Sequence, residues 1–264
     1  AVFTSIGIDH KAQLGGTVAE IALTKAGILK EGTTAVFYGE EKEALPVLQS
    51  ECRRMDIPLI IPDRVRLTVH SCSINGSTFD YRRLLNVSVN LLGIHQVYNA
   101  ITVLETISVL NEKGFNIGER AIKSGLENIR WPARFEVLKR MPTVIFDGAH
   151  NVNGVNVLAE NVGRFFPEKR IKILMGVMAD KEYGRMLDIM MPFAESFYAV
   201  TPDNPRALSA DRLSAEASLY GVKSEVLDLK DDSLTRLINS LAAEDVLLIM
   251  GSLYMYGDII KTLL

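Results

Sequence analysis

TVIFDGAHNVNG, Thr143 to Gly154, is the stretch on which the reading of this chain turns. Val144, Ile145 and Phe146 form an apolar run that stops abruptly at Asp147, Gly148, Ala149, His150 and Asn151. Such a run reads as a buried strand giving way to a helix, with Asn151 able to cap it. Asp, Gly and Asn also form turns for purely local reasons. Whether the acid, the imidazole and the amide do chemistry therefore depends on what surrounds them.

The surroundings repeat the pattern. Apolar runs recur at Ile171–Met175, Phe197–Thr201 and Val246–Met250. Helix-length segments fall between the runs, at Val155–Phe166, Lys181–Met191, Ala210–Tyr220 and Ser233–Ala243. This alternation predicts βαβ units and a Rossmann-like, mostly parallel sheet. Each run ends in a polar or small-residue loop: DGAHN, GVMADK, TPDNPRA and GSLYMYG. Open α/β sheets bind ligands beyond the carboxyl ends of their strands, so the four loops are expected to share one rim.

The first half is more mixed. AVFTSIGI reads as a strand, Val18–Leu29 as a helix and Thr34–Tyr38 as a strand. Arg64–Val69 and Ser77–Tyr81 suggest an antiparallel excursion around Asn75-Gly76. Helices are expected at Gln96–Glu112 and Gly118–Ile129. Helical pattern gives way to strand pattern at Trp131-Pro132, which divides the chain into 1–131 and 132–264.

Composition narrows the function classes. With 264 residues, 48% of them hydrophobic and 23% charged, the chain has the make-up of a soluble protein with a real core. A net charge of -3 and the lack of any Lys/Arg-rich run exclude an electrostatic footprint for nucleic acid. No apolar stretch reaches the roughly 18 residues of a membrane span. Two cysteines, Cys52 and Cys72, do not make a disulfide framework, and a reducing cytoplasm is expected.

Four stretches carry candidate chemistry. His10 follows a strand and is a possible metal ligand through a neutral ring nitrogen, or an ordinary surface histidine. Lys25 falls on a stripe formed by Val18, Ile21, Ala22, Ile28 and Leu29. A lysine there must snorkel, meet an anion or be modified, and the helix dipole favours snorkelling near a C-terminus. Asn99 lies in the first turn of the helix from Gln96, where an amide caps the backbone or reads the edge of a ligand ring. His95 precedes that helix with no evident partner in sequence. Arg134, after Trp131-Pro132, suits a phosphate or an ion pair at the domain junction. Ser252 and Tyr254 follow the last strand, on the same expected rim as DGAHN, where serine is also a common helix N-cap.

Taken together, SIGIDH…LGGTVAEIALTKAGILK, LLGIHQVYNA, WPARFE, DGAHNVNG, GVMADK and GSLY resemble, in order, the folylpolyglutamate synthase / dihydrofolate synthase family of the Mur ligase superfamily. Ala133 stands where that family usually has Gly, and Thr24 where it often has Glu. The resemblance implies the end of a Mur-ligase-type ATPase domain followed by a Rossmann-like α/β domain that binds glutamate. It implies a monomeric, cytoplasmic ligase that uses ATP and Mg2+ to phosphorylate a folate carboxylate and joins L-glutamate to it. His10 would then hold magnesium, and Lys25, as a carbamate, would hold a second ion and be catalytic. Asn99 would contact adenine, Arg134 the phosphates and Asp147 the nucleotide. His150, also catalytic, would line the glutamate site with Ser252 and Tyr254. Folate, L-glutamate and ATP are the expected partners, with no nucleic acid and no membrane. Two other readings fit the same motifs: a cell-wall precursor amide ligase, and a non-catalytic module that binds a nucleotide or amino acid. The family holds its triphosphate on a G-x-x-x-x-G-K-[ST] loop, a pattern that does not occur in this sequence. The chain is thus expected to be the C-terminal part of a longer enzyme, with little ligase activity of its own.

Overall fold

The apolar runs of the second half pair side by side. In the computed structural model, which describes residues 1–8, 15–39 and 41–263, residues 131–264 are one of two units, Ala1–Arg130 and Trp131–Leu264. The first unit holds β1 (Val2–Phe3), β2 (Ala35–Phe37), β3 (Leu59–Ile60), β4 (Leu67–Ser73), β5 (Gly76–Tyr81) and β6 (Leu84–Val89). Its helices are α1 (Val18–Ala26), α2 (Ala44–Arg54), α3 (Ile94–Glu112) and α4 (Glu119–Glu127). The second holds β7 (Glu136–Arg140), β8 (Thr143–Asp147), β9 (Ile171–Met175), β10 (Ala194–Ala199), β11 (Lys223–Val226) and β12 (Val246–Met250). Its helices are α5 (Val152–Phe165), α6 (Tyr183–Met190), α7 (Ala210–Ser218), α8 (Ser233–Ser240) and α9 (Tyr256–Leu263).

The second unit is built on a six-stranded sheet of order β11-β10-β9-β12-β8-β7, in which only β7 runs antiparallel. β12 is buried along its whole length, as expected of a central parallel strand covered on both faces. On one face Val144, Phe146, Leu174, Leu247 and Ile249 pack with Leu234, Leu237 and Ile238 of α8 and Ile259 of α9. The alternate residues Ile145, Ile173 and Leu248 are fully buried as well, so the other face is also covered. Full burial of an aliphatic side chain of this size contributes about 1.5–3 kcal/mol.

In the first unit β1, β2 and β3 form a parallel sheet that packs with α1 and α2 through Phe3, Phe37, Ile21, Ala22 and Leu48. β4, β5 and β6 form an antiparallel sheet against α3 and α4, with Phe79, Tyr81, Val87, Ile101 and Leu126 at its centre. Helix α1 starts with a capping box: the Thr17 hydroxyl accepts from the Glu20 N–H, and the Glu20 carboxylate returns to the N–H groups of Thr17 and Gly16.

Several sequence expectations need correction. The strand expected in AVFTSIGI is only Val2–Phe3. The helix expected to Leu29 ends at Ala26, so Ile28 lies past its end and is 55% exposed. The strand read as Phe197–Thr201 is Ala194–Ala199, because Thr201 has left the ladder and its hydroxyl accepts from the Ala210 N–H.

Rigidity at the carboxyl end of the sheet comes from backbone approach. Gly251 has φ of +102°, and a Cβ there would lie 2.4 Å from the Gly176 carbonyl oxygen. A Cβ on Gly148 would lie 2.3 Å from Leu253 Cδ2, but that is the end of a flexible, half-exposed side chain. Gly251→Ala, which combines a left-handed backbone with a backbone clash, should therefore cost about 2–4 kcal/mol. Gly148→Ala should cost clearly less, about 1–2 kcal/mol. Urea unfolding of both variants checks the order, and equal losses would show that the loops are free to spread.

Candidate active site at the carboxyl rim of the second sheet

Strand register fixes the rim. Asp147 pairs with Met250, Met250 with Met175, and Met175 with Ala199, so four strand ends stand in one row. The loops that follow are joined by backbone bonds: Gly176 N–H to Met250 O, Val200 N–H to Met175 O and Leu208 N–H to Val177 O. DGAHN, GVMADK, TPDNPRA and GSLY therefore share one edge, as the sequence pattern predicts.

Asp147 is the hub of this edge. One carboxylate oxygen accepts the Phe135 N–H at 2.8 Å, and the other accepts the Ala149 N–H at 2.7 Å. Burial pushes its pKa up, while the two N–H bonds and the nearby charges of Arg134 and His150 act in the opposite sense. Gly148 N–H in turn donates to the Ala133 carbonyl at 2.9 Å. The WPARFE and DGAHN segments are thus sewn together.

Between these bonds Arg134 is set outward. Ala133 and Phe135 have φ of +60° and +41°, and their side chains are 3% and 2% exposed. The two inward side chains leave Arg134 exposed on the turn. A left-handed Ala133 gives a physical reason why glycine would suit this position. Glu136 secures the turn from the other side: its Oε2 accepts the Ala133 N–H at 2.7 Å and the Tyr256 hydroxyl at 2.9 Å. Sequence reading passed over Glu136 and Tyr256. The glutamate that closes WPARFE and the aromatic residue after GSLYM were the signals available.

His150 is partly buried, with Nδ1 at 2.8 Å from the Gly148 carbonyl. A carbonyl only accepts, so Nδ1 carries the proton and Nε2 is the ring position left for other chemistry. Asn151 caps α5, its side chain accepting from the Gly154 N–H at 2.8 Å. Ser252 is buried and caps the turn Leu253–Met255, accepting from the Tyr254 N–H at 3.2 Å, while Tyr254 is 55% exposed. The structure thus brings Arg134, Asp147, His150, Ser252 and Tyr254 onto the loops of one unit.

The remaining candidates lie in the first unit. Asn99 sits in the second turn of α3, not the first, and its amide donates to Gln96 Oε1 at 3.0 Å. Gly93 precedes the helix, so capping does not explain Asn99. Lys25 is exposed in the last turn of α1, whereas Ile21, Ala22 and Ala26 are buried. Lys25 is therefore off the buried apolar face of α1, and its position at the helix C-terminus suits the dipole. His10 lies outside the described residues. Among the described residues no group of three or more His, Cys, Asp or Glu side chains is placed to hold a metal ion. No described helix is long and apolar enough to cross a membrane. A cavity of about 720 Å³ in the first unit is lined by Arg66, Arg82, Arg83, Tyr81 and Glu105 among others, and none of the sequence-derived site residues borders it.

Residues 133–253 match the Mur ligase, glutamate ligase domain family. The part of the chain that holds the rim and most of its sheet is thus similar to a Mur-ligase-type C-terminal domain. Over nearly its whole length it is homologous to folylpolyglutamate and dihydrofolate synthases. It is 34% identical to a dihydrofolate synthase/folylpolyglutamate synthase of Bacillus subtilis, over 99% of this chain and 62% of that protein. It is 29% identical to a folylpolyglutamate synthase of Lacticaseibacillus casei, over 100% of this chain and 62% of that protein. The structure of Mycobacterium tuberculosis folylpolyglutamate synthase complexed with ADP and AMPPCP superposes with a TM-score of 0.82 at 26% identity, covering 99% of this chain and 63% of that one. The chain spans about six-tenths of the length of these relatives.

The raised Asp147 pKa has a stability consequence. The folded state keeps this proton to higher pH than the unfolded chain does, so the group's contribution to stability falls as pH rises from the ordinary carboxylate value through the folded one. Asp147→Asn should remove that component, visible as a flatter stability-versus-pH curve than wild type over this window. Asp147→Ala leaves the Phe135 and Ala149 N–H groups without acceptors and should cost about 2–4 kcal/mol at neutral pH. Denaturant titrations across the acidic range check both, and an alanine variant as stable as wild type would remove Asp147 from its place in the clamp.

Proposed function

We propose that the protein is an ATP-dependent ligase that adds L-glutamate to folates through an acyl phosphate. Homology along the chain to folylpolyglutamate and dihydrofolate synthases supports the class. The observation that carries the reading is the presentation of Arg134 on a turn closed by Asp147 and Glu136, beside the loop that bears His150. In the reaction a folate carboxylate oxygen attacks the terminal phosphorus of ATP and ADP leaves. The amine of glutamate then attacks the acyl carbon, phosphate leaves and the amine's proton passes to a base. Arg134 neutralises charge on the transferred phosphoryl group. His150, held through Nδ1, offers Nε2 as an acceptor to the amine or, protonated, as a donor to a carboxylate of glutamate. Ser252 and Tyr254 complete the amino-acid side of the rim, and Asp147 serves the nucleotide side by orienting the turn that carries Arg134.

Asn99 is proposed to contact adenine. His10 is proposed to hold magnesium, and Lys25, as a carbamate, to hold a second magnesium ion. These three assignments rest on the motif resemblance, and Lys25 in particular draws no support from burial. Residues 1–131 are read as the end of an ATPase domain and 132–264 as the glutamate-binding domain. The ligase is taken to be a cytoplasmic monomer.

In the natural protein that contains this sequence, Arg134→Ala should lower kcat/KM for ATP about 100-fold, since phosphate charge changes most in the transition state. His150→Ala should chiefly raise the glutamate KM, by about tenfold. Lys25→Ala should abolish turnover, with partial rescue by short carboxylic acids. Steady-state kinetics beside melting temperatures separate these effects from loss of fold. Normal kinetics per folded molecule in the Arg134 and His150 variants would sink the proposal.

A further inference from the structure

The Glu136–Tyr256 pair takes no part in the reaction steps, yet it holds the turn that carries Arg134. The turn from Ala133 to Phe135 is unfavourable by itself, because the residues on either side of Arg134 lie in the left-handed region at φ +60° and +41°. An L-residue there brings its Cβ close to the following carbonyl oxygen, so each is strained relative to ordinary backbone. Both of their N–H groups are taken by carboxylates: Ala133 by Glu136 at 2.7 Å and Phe135 by Asp147 at 2.8 Å. The Glu136 oxygen that holds Ala133 also accepts the Tyr256 hydroxyl, from a residue 120 positions later. Tyr256 is itself fixed, its ring meeting Phe146 edge-on with centroids 5.1 Å apart. Phe146 immediately precedes Asp147, so both carboxylates are anchored through the end of β8.

We propose that Glu136 and Tyr256 are positioning residues that hold the Ala133–Phe135 turn and thereby fix the Arg134 guanidinium for a phosphate group of its ligand. The inference rests on the reading of Arg134 as a contact to ATP phosphate. Burial and the bond to Glu136 push the Tyr256 pKa up to about 12, so the phenol stays a proton donor throughout the neutral range. The geometry makes the hydroxyl, not the ring, the part that matters for Arg134. Tyr256→Phe removes that hydroxyl and keeps the packing on Phe146.

The test has two readouts, in the natural protein that contains this sequence. The first is amide hydrogen exchange, which reports local opening. Tyr256→Phe and Glu136→Ala should speed exchange at Ala133 about tenfold or more while Phe135, held by Asp147, changes less. Unchanged exchange at Ala133 in both variants would overturn the clamp. The second is kinetics. Tyr256→Phe should lower kcat/KM for ATP about tenfold with the glutamate KM unaltered, and should have no further effect in an Arg134→Ala background. An equal fold-loss in both backgrounds would show a merely structural role and overturn the proposal, as would normal ATP kinetics in Tyr256→Phe. If Arg134→Ala alone left ATP kinetics intact, the phosphate reading would fall and take this proposal's functional half with it. Exchange at Ala133 would still decide the turn itself. Glu136→Gln, which keeps an acceptor oxygen, should recover part of the exchange protection lost in Glu136→Ala.

Discussion

One carboxylate at the end of one strand determines how the rim is arranged. Asp147 leaves β8 with an oxygen on the Phe135 N–H and an oxygen on the Ala149 N–H. The first bond holds the segment that enters the unit, and the second shapes the loop that leads into α5. Burial works against the charge and leaves the pKa raised, while both N–H dipoles and the neighbouring Arg134 and His150 offset part of that cost. Without these bonds, nothing on this side of the turn would compensate a left-handed Phe135. Arg134 would then lose its fixed direction. The exposed cation and the buried acid are therefore parts of one local balance of charge, backbone conformation and hydrogen bonding.

The rest of the rim depends on how close its backbones come. Gly251 lies against the Gly176 carbonyl, and Gly148 lies under Leu253. The first contact requires a residue without a Cβ and leaves its loop little room to shift relative to the sheet, while the second is limited only by a flexible side chain. Side chains that project from this edge, such as Tyr254 and Arg134, stand on a stiff base. That combination suits chemistry in which two reactants must be aligned, because alignment gained from a rigid scaffold is not lost again in the transition state.

How much of this was legible in the sequence follows from burial. Ile171–Met175 and Val246–Met250 coincide with β9 and β12 because both are fully or nearly fully enclosed, and burial on both faces leaves a continuous apolar signature. β7 and β11 escaped notice because EVLKR and KSEV are edge strands with charged, partly exposed residues. α2 carries Pro46 in its first turn, where proline is tolerated but reads as a breaker. Around the site, the loops and their shared edge could be inferred from period and order. The pairing of Glu136 with Tyr256 could not, since the two residues are 120 positions apart and no local pattern links them. Lys25 shows the opposite failure. Its spacing from Ile21 fits a helical stripe, but α1 ends one residue later, so no further helical turn encloses it.

Within the DGAHN segment the hydrogen bonds run in two directions. Asp147 turns back toward residues 133–135, while His150 turns onto the Gly148 carbonyl and Asn151 is spent on the first turn of α5. A carboxylate offers about four lone-pair sites, and the Phe135 and Ala149 N–H groups occupy one on each oxygen. Its strongest structural influence is thus on the placement of Arg134. His150 differs, because its backbone bond uses only Nδ1 and sets the tautomer. The same five residues therefore divide their roles: Asp147 orients the turn that carries Arg134, whereas His150 commits only Nδ1 to the backbone.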